Sequence, residues 1–327
     1  MPHFDLPLAD LERYNPPRVE PDDFDAFWAT TLAESRRFDL DARFDEIDAG
    51  YTELITEDVT FSGFGGHPIK GWMLRPRHAA GLLPAVVSYI GYGGGRGMLS
   101  EWTGIPSAGI AHFVMDLRGQ GAGHRTGATA DPGVGGPHIG GFLTMGIENP
   151  SDYYYRRLFT DAVRAVEAVQ AHPAVDATRV ILSGGSQGGA ICLAAAALSP
   201  TVTEHPPIAA IVDVPFLSHV RRATELVDTA PYSELVTYLR TRRHSEELVF
   251  HTLSYFDGVN FAARATLPAL FSVGLLDDIC PPSTVYAAFN TYAGEKQMVV
   301  YPYNGHENGG PFQDAEHLAF FRTVLGR

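Results

Sequence analysis

From about residue 80 onward, short apolar runs alternate with segments of helical period. Residues 85–90, 111–115, 180–182, 208–212, 269–273 and 298–301 are each too short and too uniformly apolar for half-exposed strands, so they predict a mainly parallel sheet covered on both faces. Between them, residues 161–171, 187–198, 283–292 and 315–325 predict helices. Earlier in the chain, residues 52–75 switch to period two around Gly65-Gly66, which predicts an antiparallel hairpin. Phe24, Phe27, Trp28 and Leu32 share one face of a helix expected over 22–37, and residues 1–50 are expected to form an N-terminal helical extension. Residues 215–265 carry dense charge (Arg221, Arg222, Arg240, Arg242, Arg243, Glu246, Glu247) and aromatics without a strand signal. They predict a helical insertion, placed as a lid or an oligomer contact. Residues 119–146 are Gly-rich and expected to be a surface loop.

Composition narrows this picture. Hydrophobic residues make up 45% of the 327 positions and charged residues 19%, enough for a packed core, and the elements are taken together as one α/β domain, 1–327. The net charge of −14 argues against nucleic-acid and anionic-membrane partners. The first residues lack a basic segment followed by an apolar one, and no run of about 18 apolar residues occurs, so the expected location is the cytoplasm, with no membrane span. Cys192 and Cys280 fit neither a disulfide framework nor zinc spacing, and both are expected to be buried spectators. Cys280 has a second reading, contact with substrate.

The strongest chemical signal is Gly184-Gly185-Ser186-Gln187-Gly188-Gly189, placed between the apolar strand ending near 182 and the Ala-rich helix from 187. A serine on a sharp strand-to-helix turn projects its oxygen from the sheet, and small residues at 184 and 188 let the backbone pass closely. Ser186 is therefore the candidate nucleophile. Serine needs a base, and histidine titrates in the right range. His306 follows the last predicted strand, whereas His317 falls in the terminal helix and is read as a surface residue. His205, His219, His244 and His251 are assigned solvated or structural roles. The base needs a carboxylate to orient it. Asp277 and Asp278 both follow the strand at 269–273, giving the order Ser, Asp, His expected of α/β-hydrolases, and Asp213 is a third candidate. Acyl transfer also requires oxyanion donors. The backbone N–H groups of Gln187, next to the nucleophile, and of Tyr92, in the loop Ile90-Gly-Tyr-Gly-Gly-Gly95, are the candidates. That loop lacks the phosphate-binding patterns, so no nucleotide cofactor is expected.

Taken together, Tyr89-Ile-Gly-Tyr-Gly-Gly-Gly-Arg-Gly, Asp116-Leu-Arg-Gly-Gln-Gly, Gly184-Gly-Ser-Gln-Gly-Gly, Thr252-Leu-Ser-Tyr-Phe-Asp-Gly, Asp277-Asp-Ile-Cys-Pro-Pro-Ser and His306-Glu307 resemble the acetyl xylan esterase and cephalosporin C deacetylase family of carbohydrate esterases, nearly from end to end. The resemblance implies an α/β-hydrolase fold, Ser186 as nucleophile, Asp277 rather than Asp278 as acid, His306 as base, and the Tyr92 and Gln187 amides as oxyanion donors. It further implies Arg118 and Gln120 as structural supports, no metal or cofactor, small acetylated saccharides or cephalosporin-like acetyl esters as substrates, and a ring-like homohexamer. Gly93 stands where the family often has Asn, and His124 where a bulky aromatic is common. A serine peptidase of the same fold and a non-catalytic receptor built on it are the rival readings.

Overall fold

The computed structural model describes residues 3–327. Nine strands form one sheet: β1 (Arg43–Ile47), β2 (Leu54–Ser62), β3 (Pro68–Pro76), β4 (Leu83–Tyr89), β5 (Ala111–Met115), β6 (Val175–Gly185), β7 (Ala209–Asp213), β8 (Ala269–Gly274) and β9 (Lys296–Tyr301). Their spatial order is β1-β2-β3-β5-β4-β6-β7-β8-β9. β1, β2 and β3 are antiparallel, and β3 runs antiparallel to β5. The strands from β5 to β9 in that order are all parallel. Winding reverses at β4, which lies between β5 and β6. Such a switch point opens a crevice beyond the carboxyl ends of the strands, here between the loop after β4 and the turn after β6.

Every residue of β4, β5, β7 and β8 is buried, which explains their predominantly apolar sequences. The larger core contains helices Tyr154–Gln170 and Gln187–Leu198, and Phe24, Trp28 and Leu32 of helix Phe24–Ser35 pack into it. On the opposite face, Phe320, Phe321 and Leu325 from the end of the chain join Val86, Ile181 and Ile211 of the sheet, with Ile105 packed against them. The insertion between β7 and β8 comprises helices Val220–Leu226, Tyr232–Thr241, Glu246–Ser254 and Gly258–Ala262.

Four features depart from the sequence expectation. β1 adds an edge strand to the region expected to be only a helical extension. Its residues Arg43-Phe-Asp-Glu-Ile are mostly charged and half exposed, as suits an edge but not a core strand. Helix Tyr154–Gln170 begins seven residues before 161, because Tyr154, Tyr155, Leu158 and Phe159 are buried against the core, which outweighs the modest helical propensity of the three aromatics. The terminal helix begins at Pro311, which occupies the first helical position, where a missing N–H costs nothing. Finally, residues 119–146 are not simply a surface loop, since Gly119, Gln120, Gly121, Thr129, Asp131, Phe142 and Leu143 are buried.

The loop after β5 is held inside by Arg118, which is fully buried. Its Nε donates to Asp161 Oδ2 at 2.6 Å, one terminal nitrogen donates to Asp161 Oδ1 at 2.7 Å, and the other to Asp131 Oδ1 at 3.0 Å. Two-pronged pairing of this kind fixes direction as well as distance, and here it ties the loop to helix Tyr154–Gln170. Removing one partner strands a buried charge, so Asp161→Ala is expected to destabilise the protein by about 3–5 kcal/mol in denaturant unfolding.

The terminal helix is tied to the sheet by His317, whose Nε2 lies 2.7 Å from Asp213 Oδ2 at the end of β7. His317 is thus a partner in a largely buried pair and not the surface residue its helical position suggested. Burial alone would lower the imidazole's pKa, but the Asp213 carboxylate, with Asp314 and Glu316 nearby, outweighs it and raises the value. A raised value means that this stabilisation is complete below the ordinary histidine value of 6.5 and is lost as pH climbs through the folded value. Melting temperatures of wild type and His317→Gln should therefore differ most in mild acid and converge as the pH is raised.

Candidate active site

β6 ends at Gly185, and Ser186 follows with φ +58° and ψ −122°, directly before helix Gln187–Leu198. Non-glycine residues in such regions cost about 1–3 kcal/mol and persist only where the surroundings hold them. Here the Ser186 N–H donates to Asp213 O at 2.9 Å, and Ser186 O accepts from Phe216 N at 3.0 Å. The turn also demands close backbone packing. A Cβ at residue 184 would lie 2.1 Å from Gly188 O, and one at residue 188 would lie 2.2 Å from Tyr89 O, so only glycine fits either place. The serine is left half-buried on the wall of a cavity of about 950 Å³ at the carboxyl ends of the strands.

His306 lines the same cavity from the loop after β9. Its Nδ1 lies 2.9 Å from Asp277 Oδ2. Asp277 is fully buried, and its Oδ1 accepts the backbone N–H groups of Ile279 and Cys280 at 2.9 Å each, so the carboxylate is fixed before it meets the imidazole. That arrangement leaves Nε2 of His306 as the nitrogen able to face Ser186. No hydrogen bond joins Ser186 Oγ to His306 here; such contacts often tighten only when substrate binds. Glu307 closes the loop, accepting the Gly305 N–H at 3.0 Å and Asn304 Nδ2 at 2.9 Å, and the Asn304 contact holds its carboxyl below the usual range.

The two other acid candidates do not reach His306 with their carboxylates. Asp278 contributes its backbone carbonyl, not its carboxylate, to Thr229. Asp213 accepts Ser272 Oγ at 2.6 Å and Gln313 Nε2 at 2.8 Å besides pairing with His317. Of the remaining histidines considered, His219 and His251 line a separate cavity of about 320 Å³. Cys192 and Cys280 are both fully buried, and burial pushes both thiols up; Cys280 sits against Ser186 without being open to solvent.

Facing Ser186 across the switch point is the loop 90–97. Among the described residues, the N–H groups of Tyr92 and Gln187 have no protein acceptor. Their surroundings are anchored by Gln120, itself fully buried: its Oε1 accepts the Gly93 N–H at 2.6 Å, and its Nε2 donates to Gln187 Oε1 at 2.9 Å and Tyr154 OH at 3.0 Å. One amide side chain therefore links the loop carrying Tyr92 to the helix start carrying Gln187. The Tyr92 hydroxyl donates to Glu234 at 2.8 Å and accepts the Phe142 N–H at 2.9 Å, and burial together with Glu234 drives its pKa far up. The helical insertion, through Glu234, thus braces the loop after β4, a role that no spacing in the sequence announces. Gly93 has φ +78°, a conformation glycine adopts freely, and His124 occupies the space beside Gly94 on the cavity rim. Among the described residues, no group of three or more His, Cys, Asp or Glu side chains is arranged to hold a metal ion.

The chain and its fold have close counterparts. The family model described as acetyl xylan esterase (AXE1) matches residues 1–324. A solved acetyl xylan esterase from Paenibacillus sp. R4 is 37% identical with a TM-score of 0.89, over 97% of this chain and 99% of that one. Acetyl xylan esterase 1 from Thermoanaerobacterium sp. JW/SL YS485 is 33% identical with a TM-score of 0.87, over 98% and 99%. Among curated proteins, acetyl esterase Axe7A of Xylanibacter ruminicola is 28% identical over 299 residues; these are 90% of this chain, which spans 65% of that relative's length. The sheet order and these likenesses make the fold that of the α/β hydrolases, and the chain belongs to the acetyl xylan esterase family, a family of carboxylic ester hydrolases.

Proposed function

We propose that this protein is a serine esterase that removes acetyl groups from small acetylated saccharides, xylo-oligosaccharides foremost, through an acyl-enzyme on Ser186. The observation that carries this reading is the Asp277–His306 pair, 2.9 Å long and fixed from behind by two backbone amides, on the wall of the cavity that Ser186 enters from its strained turn. Ser186 Oγ attacks the acetyl carbonyl while His306 Nε2 takes its proton, and Asp277 stabilises the imidazolium that forms. Negative charge then develops on the carbonyl oxygen, and the unpartnered N–H groups of Tyr92 and Gln187 are the donors for it, aided by the N-terminus of helix Gln187–Leu198. His306 returns the proton to the departing sugar hydroxyl. Water, activated in the same way, attacks the acetyl-serine, and acetate leaves with Ser186 restored.

The acetyl xylan esterase titles of the similar solved structures support the saccharide class. A cavity of about 950 Å³ is far larger than an acetyl group needs and falls within the range that holds drug-sized ligands, leaving room for an alcohol portion of a few sugar rings. Cephalosporin-type acetyl esters, in which a different alcohol carries the same acyl group, are included in the proposal. So are the homohexamer and the cytoplasmic location, where the enzyme would meet imported oligosaccharides; light scattering on the purified protein and fractionation of the source cells test these two.

The direct test is a panel of p-nitrophenyl acetate, longer acyl esters, acetylated xylobiose, 7-aminocephalosporanic acid and a peptide amide. Acetyl esters should turn over, longer acyl esters and the amide should not, and Ser186→Ala should lose on the order of 10⁵-fold in kcat. Wild type that cleaves only the amide, or a Ser186→Ala enzyme that keeps its rate, would discard the reading. The bridge between the two oxyanion donors gives a second expectation. Gln120→Leu should lower kcat on the order of 10²-fold with little change in KM, since misplaced oxyanion donors are felt mainly in the transition state.

A further inference from the structure

Asp213 occupies an unusual place relative to the two groups whose contact makes a nucleophile. Its backbone carbonyl takes the Ser186 N–H at 2.9 Å, at the one residue of the turn with left-handed φ. Its side chain, only 8% exposed, reaches the loop of the base by two steps. Ser272 Oγ donates to Asp213 Oδ1 at 2.6 Å and accepts Asn308 Nδ2 at 2.9 Å, and Asn308 stands two residues after His306. The same carboxylate accepts Gln313 Nε2 at 2.8 Å and meets His317 Nε2 at 2.7 Å, both from the terminal helix, while Gln313 Oε1 accepts Tyr301 OH at 2.9 Å from the end of β9.

Backbone strain clusters on this network. Among the described residues, Ser186 (φ +58°), Val214 (φ +36°) and Asn308 (φ +46°) are three of the six non-glycine residues with positive φ, and each belongs to the network or is hydrogen-bonded or covalently joined to a member of it. Val214, a β-branched residue for which such a φ is a true outlier, directly follows Asp213, and its N–H donates to Ser272 O at 3.1 Å. Strained conformations persist where the surroundings over-determine them, and this carboxylate with its donors is the surrounding structure common to the nucleophile turn and the base loop.

We propose that Asp213 is a positioning residue for the reaction: the chain Asp213–Ser272–Asn308 sets the separation of Ser186 from His306, and Gln313 and His317 fix the carboxylate from which that chain starts. Asp277 orients the His306 ring; Asp213 registers the loop that carries it against the nucleophile. The proposal rests on Ser186 and His306 acting as described above. It accounts for a buried carboxylate with three hydrogen-bonding or ionic partners in the active-site cavity that the catalytic cycle itself never uses.

The test is steady-state kinetics on p-nitrophenyl acetate, with melting temperatures, for Ser272→Ala, Asn308→Gly, their double variant and Asp213→Asn. Glycine at 308 keeps the left-handed backbone and removes only the side-chain donor. Each single variant should lose about tenfold in kcat with KM within about twofold, a misplacement effect, and the double variant should lose no more than the worse single one, because both break the same chain. Asp213→Asn should fall at least as far; should it fail to fold, the Ser272 and Asn308 variants still decide the matter. Variants that melt earlier but keep the wild-type kcat, or whose losses multiply in the double variant, would overturn the proposal and leave Asp213 a brace of the fold. An inactive wild type would instead remove the esterase reading on which it stands.

Discussion

Ser186 can hold its left-handed backbone only because its N–H and C=O are both taken by the segment that leaves β7, at Asp213 and Phe216. Much else around the site follows from that clasp. The close approach of chain to chain excludes side chains at 184 and 188, so the glycines on either side of the serine are a steric requirement of the turn. The turn in turn points the first amides of helix Gln187–Leu198 toward the cavity and sets the serine between the loops after β4 and β9.

The site is assembled by buried polar side chains, each joining two elements. Arg118 ties the loop after β5 to helix Tyr154–Gln170, Gln120 ties that loop to Gly93 and Gln187, and Glu234 ties the insertion to Tyr92. Because each is held by several partners, a loop-built site attains the rigidity that electrostatic stabilisation of an oxyanion requires. In the proposal above, Asp213 performs the same kind of joining between the Ser186 turn and the His306 loop, through Ser272 and Asn308, while the terminal helix holds its carboxylate.

Legibility in the sequence followed how local each signal was. The parallel strands were readable because burial on both faces leaves an apolar run, as in Ala111–Met115, and the serine turn because its glycines are obligatory. β1 was not readable, because an exposed edge strand of Arg, Asp and Glu has no apolar period. Spacing alone could not separate Asp277 from Asp278; in the structure Asp277 is buried, takes two backbone donors and meets His306, whereas Asp278 meets Thr229 through its backbone carbonyl. His317 was misread for a related reason: its helical position gives no sign that a carboxylate from β7 lies within 2.7 Å. Glu234 and Ser272 are long-range partners of single residues, and such pairs leave no periodicity to find. Asn308 lies in the run Asn304-Gly-His-Glu-Asn-Gly-Gly310, a composition suited to a tight loop that carries no sign of what the asparagine bonds to.

The central claim is that Ser186 is an activated nucleophile facing oxyanion donors, and a tetrahedral phosphorylating agent interrogates both at once. Diethyl p-nitrophenyl phosphate should inactivate the wild-type enzyme completely at one phosphoryl group per chain, with the label found by peptide mass spectrometry on Ser186 alone, and it should not label Ser186→Ala. Label on another residue with full inactivation, or an enzyme that stays active and unlabelled while it hydrolyses acetyl esters, would contradict the account.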